Sequence, residues 1–272
     1  MDNSLAQVNQ INFKNLKNCL SDHKVFGGIL LILGTCLGGA ILALPISNAY
    51  TGFGISSIYL LSVWAVMTFC SILILEVNLL FKPGTNLLTM SKETLGITGQ
   101  IVTGLSYFLL LYNLLSAYIS GGSGIILSIV NLAGINLTET FAAIVFVIIF
   151  GLIVFSRMHR LDIVNRALIL VKLILFLLII LFSFRAISFD GLIASSGYYS
   201  KGILMVLSTS FGFGVIIPSL RVYLDSDPFK LRVAVIMGAF IPLIVYLVWD
   251  LVLMGSIGTE MQIGRASCRE RV

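Results

Sequence analysis

Seven long apolar runs dominate the sequence and constrain its fold more than any other feature. They lie at residues 25–49, 55–81, 101–120, 141–155, 163–183, 202–220 and 231–254. A helix needs about 20 residues to cross a bilayer, so each run can span, the fourth only if it is slightly extended. Backbone groups in lipid must be hydrogen-bonded internally, which separate segments achieve only as helices. The sequence therefore predicts an all-α integral membrane protein with seven transmembrane helices.

The composition excludes several other classes of protein. The chain has 272 residues, of which 58% are hydrophobic and 11% charged, and its mean hydropathy is +1.06. Soluble domains carry about twice that share of charge, and disordered chains are far less apolar. The net charge of +5 does not indicate nucleic acid, because basic residues of membrane proteins gather in cytoplasmic loops. Four scattered cysteines and two histidines predict neither a metal site nor a cofactor.

The basic residues also predict how the chain is oriented. Eleven of them fall on one side of the seven runs: Lys14, Lys17, Lys24, Lys82, Lys92, Arg157, Arg160, Arg166, Arg221, Lys230 and Arg232. The other side has only Arg185 and Lys201. Since basic loops stay in the cytoplasm, we expect a cytoplasmic N-terminus. Residues 1–24 would form a cytoplasmic tail and residues 25–262 the transmembrane domain.

The last ten residues differ from the rest of the chain. Residues 263–272 read IGRASCRERV, a polar stretch after an apolar protein. They resemble the translation of a common short-read sequencing adapter followed by a stop codon. We therefore expect a non-native tail and a natural gene that continues beyond Gln262. A short basic native tail is the alternative.

Two of the runs are interrupted in the same way. Gly39 precedes Pro45 by six residues in the first run, and Gly212 precedes Pro218 by six in the sixth. Glycine lowers the cost of leaving helical geometry and proline removes a backbone donor. Paired interruptions in corresponding halves of a transporter point to its binding site.

The depth and direction of these interruptions fit an inverted repeat. At 1.5 Å per residue, Gly38 lies about 20 Å into the first run and Gly212 about 16 Å into the sixth, both near the bilayer centre. The two runs have opposite directions, and the repeat unit would be five helices. The alternative is that the small residues, such as Gly34 and Gly38, serve only close helix packing.

The residues around these interruptions resemble those of a known transporter family. The stretches GTCLGGAILALP, from Gly34, and SFGFGVIIPSLRVYL, from Ser210, are similar to the hydroxy/aromatic amino acid permeases. The seventh run, IPLIVYLVWD, resembles the family too, with Asp250 where glutamate is expected. The resemblance implies a bacterial inner-membrane proton symporter of tyrosine or tryptophan, in the amino acid/polyamine/organocation superfamily.

The same resemblance implies a five-plus-five inverted-repeat fold with broken helices one and six. The family is expected to have eleven spans, so this chain would hold the first repeat and the start of the second. We therefore expect an incomplete transporter that is inactive alone. The implied partners are an amino acid, protons and the lipid bilayer.

A buried zwitterion needs partners for both of its charges, and broken helices supply them from the backbone. The predicted substrate-binding residues are Gly34, Thr35, Gly38 and Gly39 in the first run, Thr209, Ser210, Phe211, Gly212, Phe213 and Gly214 in the sixth, and Tyr112 and Asn113 in the third. Phe211 and Phe213 are expected to face an aromatic substrate ring, or else lipid and other helices. For Tyr112 and Asn113, ordinary packing is an equal alternative.

Lys172 is the predicted proton-coupling residue. It lies about 15 Å beyond Asp162, near mid-bilayer in the fifth run, too deep to reach water easily. In proton-coupled relatives of the superfamily, a lysine on this helix occupies the place of a bound cation. The alternative is a fixed strut that binds carbonyls of the first run. Glu76 and Asp250 lie near opposite membrane edges and are expected to be partly hydrated, with structural or gating roles.

Further charged residues lie close together at the connection between the sixth and seventh runs. Arg221, Asp225, Asp227, Lys230 and Arg232 form a short loop that is mainly a topology signal, with an inner gate as the alternative. An intramembrane enzyme would need a catalytic constellation that the sequence lacks. A seven-helix receptor or channel does not require paired broken helices. A transporter of another amino acid, or one with another coupling ion, is a further alternative.

Overall fold

The computed structural model describes residues 22–38, 41, 43–44, 52–135, 137–155, 158–183 and 201–256, and all regular structure within them is helical. The helices are α1 (His23–Cys36), α2 (Phe53–Leu80), α3 (Leu87–Leu132), α4 (Glu139–Val154), α5 (Met158–Ser183), α6 (Lys201–Ser210), α7 (Ile217–Tyr223) and α8 (Pro228–Ser256), with a 3₁₀ segment at Phe213–Ile216. The predicted all-α class is confirmed. Most of the tail at residues 1–24 and all of residues 263–272 lie outside the described residues.

Four helical segments are long and apolar enough to cross a bilayer. They are Phe53–Leu80, Leu87–Leu132, Gly202–Tyr223 and Pro228–Gly255, with mean hydropathies between 1.5 and 2.3. Shorter apolar helices lie at His23–Cys36, Glu139–Val154 and Leu170–Ser183. This is the pattern of a multi-pass membrane protein.

The third helix is longer than its apolar run predicts. Helix α3 continues without a break through Gly121, Gly122 and Gly124, beyond the end of the predicted run at residue 120. In lipid no water replaces a lost backbone hydrogen bond, so the helical state outweighs glycine's preference for other conformations. At its start, α3 bends at Gly96, whose backbone is non-helical (φ 73°, ψ −166°).

The chain divides into two compact units. The first, unit 1, combines Met1–Met90 with Ile180–Val272, and the second, unit 2, is Ser91–Ile179. In unit 1, α8 packs along both α1 and α2, and α2 also contacts α6, the 3₁₀ segment and α7. The largest buried side chains of this unit include Tyr246, Phe211 and Phe213. Unit 1 is therefore a helical bundle whose core contains the interrupted sixth span.

Unit 2 contains most of α3, all of α4 and most of α5. Its apolar side chains are largely exposed, among them Leu105, Leu152 and Leu177 at 58–71% of their full area. An exterior of this kind suits contact with hydrocarbon rather than with water.

Candidate functional site

The sixth span breaks where its glycines and proline predict. Helix α6 ends at Ser210, and the amide of Gly212 donates to the carbonyl of Thr209, three residues back (3.3 Å). The 3₁₀ segment follows, and α7 then begins with Pro218 in its first turn, where a missing N–H costs nothing. The interruption between α6 and α7 is confirmed.

The first span stops being a regular helix at the expected place. Helix α1 ends at Cys36, and Leu37 leaves helical geometry with φ −78° and ψ 38°. Helical geometry returns at Ile41 and at residues 43–44. Gly38 lies in the bend between them, whereas Gly39 and Pro45 fall outside the described residues.

One side chain that the sequence did not single out contacts both interruptions. The Tyr246 hydroxyl donates to the carbonyl of Cys36, the last residue of α1 (2.5 Å). Its ring meets Phe211, the first residue beyond α6, edge to face, with centroids 5.7 Å apart. Both rings are fully buried. The ends of α1 and α6 therefore meet at Tyr246 on α8.

The hydroxyl groups of the predicted site bond to their own helices. Thr35 donates to the carbonyl of Ile32 (2.7 Å), and Ser210 donates to that of Val206 (2.5 Å). Thr209 donates in the same way to the turn before it. Such bonds are usual for Ser and Thr in helices, and they leave oxygen lone pairs as the groups available to a ligand.

Phe213 and Gly214 lie inside the packed bundle. Phe213 is 1% exposed. A Cβ at Gly214 would lie 3.1 Å from both Ser71 Oγ and Ile74 Cδ1 of α2. The packing alternative thus accounts for glycine at position 214. Contact of Phe211, Phe213 or Gly214 with a substrate stays a prediction.

The other predicted site residues belong to unit 2. Tyr112 is 62% exposed and stacks on Phe108 at 6.4 Å, and Asn113 is exposed as well. Tyr112 borders an open groove of about 490 Å³ whose wall includes Ser116, Ser120, Ser123 and Glu139. Lys172 is half-buried in the apolar part of α5.

The two carboxylates near the membrane edges differ from each other. Glu76 forms a bidentate ion pair with Arg232, at 2.7 and 2.9 Å, and both side chains are partly exposed. Asp250 is only 1% exposed and accepts a hydrogen bond from Ser56 Oγ. The expected partial hydration fits Glu76, but it is wrong for Asp250, because α8 packs that residue against the start of α2.

Arg221 also differs from its expected place in a loop. It lies in the last turn of α7, is 5% exposed, and donates to the carbonyls of Asn78 and Phe81 (2.9 Å for Phe81). It therefore binds the C-terminal end of α2. The sequence around Arg221 contains no pattern that predicts a contact with residues 140–143 positions away.

Ion pairs join the start of α1 to the α7–α8 connection and to the first turn of α8. Lys230 bonds to Asp22 (2.6 Å), and Lys24 bonds to Asp225 (2.5 Å). The Lys230 ammonium holds the pKa of Asp22 below its usual value, with help from the amide of Lys24. With the Glu76–Arg232 pair, these contacts form what we call the charged end of unit 1.

Comparison with known proteins identifies the family. The sequence model of the tryptophan/tyrosine permease family matches residues 21–265. The chain belongs to this family. The family consists of permeases rather than enzymes, so the predicted family and class are confirmed.

Individual relatives of this chain differ in the substrate that they are named for. The chain is 32% identical to the tyrosine-specific transport system 1 of Haemophilus influenzae, over 84% of this chain and 57% of the relative. It is 30% identical to the tryptophan-specific transport protein of the same organism (86% and 59%). It is also 30% identical to glutamine transporter 2 of Aliivibrio fischeri (86% and 61%). The chain thus spans about 60% of these relatives' length. No solved structure matches the chain.

Proposed function

We propose that this permease imports an aromatic amino acid, tyrosine or tryptophan, together with protons across a bacterial inner membrane. The observation that carries the proposal is the meeting of two interrupted spans at Tyr246. Alternating access around that place, in an inverted-repeat fold, would expose the substrate to either side in turn.

The backbone at the interruptions suits a zwitterion. Helices α1 and α6 both end there, and the C-terminal end of a helix carries partial negative charge that favours an ammonium group. The 3₁₀ segment and α7 begin there, and N–H groups at a helix start favour a carboxylate. We assign the substrate to Gly34, Thr35, Gly38, Gly39 and to residues 209–214. A substrate role for Tyr112 and Asn113 stays a separate prediction from the sequence.

We assign proton coupling to Lys172. Its side chain is half-buried midway along an apolar helix, and an ionisable residue within a span marks a candidate proton pathway. Uptake by a Lys172→Gln variant should no longer respond to a proton gradient. Lys82→Gln is the matched control, because Lys82 is exposed just after α2. Proton-driven uptake that survives in Lys172→Gln would exclude the assignment.

The deciding experiment measures uptake of labelled tyrosine, tryptophan and glutamine by the complete gene in a host without its own transporters. We expect tyrosine or tryptophan to enter, and a protonophore to stop the uptake. Glutamine uptake alone would favour the second candidate, a transporter of another amino acid, which the Aliivibrio relative motivates. Uptake that needs sodium and ignores the protonophore would exclude proton symport.

The same host can test the chain by itself. Because the chain spans about 60% of its relatives' length, we expect these 272 residues to support no uptake. Uptake equal to that of the complete gene would contradict this expectation.

A further inference from the structure

Three polar side chains share one buried face of α8. Tyr246, Trp249 and Asp250 are spaced at i, i+3 and i+4, which places them side by side on a helix. All three are at most 7% exposed. Each bonds to another part of unit 1: to the carbonyl of Cys36, the carbonyl of Ile41 and the hydroxyl of Ser56. We call these three residues the polar face of α8.

The two carbonyls that bond to this face, those of Cys36 and Ile41, flank the interruption of the first span. In a regular helix the carbonyl of Ile41 would bond to the amide four residues on, which is residue 45, a proline without an N–H. The indole Nε1 of Trp249 donates a hydrogen bond to the carbonyl of Ile41 at 2.8 Å. It thereby replaces the donor that the proline cannot provide. The carbonyl of Cys36 stands at the end of α1, where the regular bonding pattern stops.

Tyr246 adds a contact with the other interrupted span. Its ring packs edge to face on Phe211 while its hydroxyl holds the end of α1. A shift of either helix end would break one of these contacts. The orientation of the backbone at both interruptions therefore depends on α8.

We propose that Tyr246 and Trp249 are positioning residues of the substrate site. Their hydrogen bonds fix the backbone conformation at the first interruption, and the ring of Tyr246 fixes its position relative to the second. The carbonyl and N–H groups are therefore oriented toward the substrate site before an amino acid binds. This inference rests on the proposed function, since it takes the interruptions as the place where the substrate's charged groups bind. Neither residue needs to touch the substrate.

The first test requires no transport. With Cys19, Cys70 and Cys268 replaced by serine, the 272-residue chain keeps Cys36, a thiol that is 1% exposed at the end of α1. Tyr246→Phe removes the hydroxyl and keeps the ring. Loss of one hydrogen bond should raise the rate of maleimide labelling at Cys36 about threefold to tenfold. Tyr118→Phe, at a residue that is 46% exposed on α3, should leave that rate unchanged.

The second test measures uptake by the complete gene. Tyr246→Phe and Trp249→Phe should each raise KM about threefold to tenfold, with Vmax near the parental value once it is normalised to the amount of protein. A purely structural role would lower the amount of protein and leave KM unchanged. Unchanged Cys36 labelling in Tyr246→Phe overturns the proposal, and so does faster labelling with an unchanged KM.

The two tests separate this inference from the proposed function. If the parental gene imports no amino acid, the proposed function fails, whatever the labelling shows. If the parent transports and neither variant changes KM, only the positioning role fails.

Discussion

Arg221 shows how much a single residue contributes to this bundle. Most of the last carbonyls of a helix have no partner within it, and in a membrane protein such groups are costly to leave unpaired. At the end of α2 the amide of Phe81 already donates to the carbonyl of Asn78 (3.1 Å). The guanidinium of Arg221 satisfies carbonyls of Asn78 and Phe81, and its charge also complements the negative end of α2. It connects α7 with α2, two elements that are distant in sequence.

Replacing Arg221 by methionine should therefore destabilise unit 1. The carbonyl of Asn78 would keep the amide of Phe81 (3.1 Å), but the carbonyl of Phe81 would lose the Arg221 donor. A buried carbonyl left unpaired costs about 1–3 kcal/mol, so the midpoint of thermal unfolding in detergent should fall. Arg232→Met is the matched control, because Arg232 forms a partly exposed ion pair that is worth little. Equal losses in the two variants would contradict the role given to Arg221.

Asp22 gives the charged end a dependence on pH. Because Lys230 and Lys24 lower the pKa of Asp22, its charged form is favoured in the folded chain. The resulting stabilisation is present above the ordinary aspartate pKa of about 3.9 and is lost as pH falls through the lower, folded value. Thermal unfolding between pH 6 and pH 2 should show this loss. Asp22→Asn should remove this part of the pH dependence, and an unchanged profile would count against the Asp22–Lys230 contact.

At the scale of elements, α8 and α1 approach each other unusually closely. A Cβ at Gly238 would lie 2.8–3.0 Å from three atoms of Ile32, one of which is the Ile32 Cβ itself. Since that atom moves only with its backbone, any larger residue at position 238 must push the two helices apart.

Gly238→Ala should accordingly destabilise the chain by about 1–3 kcal/mol through overpacking. The control is Gly54→Ala in α2, where a Cβ meets nothing within 4 Å and alanine is the better helix former. Thermal unfolding of both variants in detergent checks the difference. If Gly238→Ala were as stable as Gly54→Ala, α1 and α8 could move apart without loss of stability, and the close packing at Gly238 would not be required.

The sequence predicted the helices better than their contacts. The apolar runs located the spans, and the spacing of Gly212 and Pro218 located the sixth interruption, because these signals act through nearby backbone. Burial of Asp250, the contacts of Arg221 and the place of Tyr246 depend on residues 140 to 210 positions away, which no local pattern records. The substrate-binding residues and Lys172 remain predictions.

For the whole molecule, the distribution of basic residues predicts an orientation that can be measured. Reporter fusions after residue 84 and after residue 226 should be cytoplasmic, since both follow basic segments. A fusion after residue 134, between α3 and α4, should lie outside the cytoplasm. The opposite pattern would reverse the topology and the proposed direction of import.

Unit 1 is discontinuous in sequence, because the chain leaves it after Met90 and returns at Ile180. A ribosome adds about 5–20 residues per second. Asp250 is therefore synthesised on the order of 10–40 s after its hydrogen-bond partner Ser56, which is 194 residues earlier. During that interval the nascent α1 and α2 lack the helix that binds their buried polar groups. Whatever shelters them at the translocon until α8 is made becomes part of how this bundle is built.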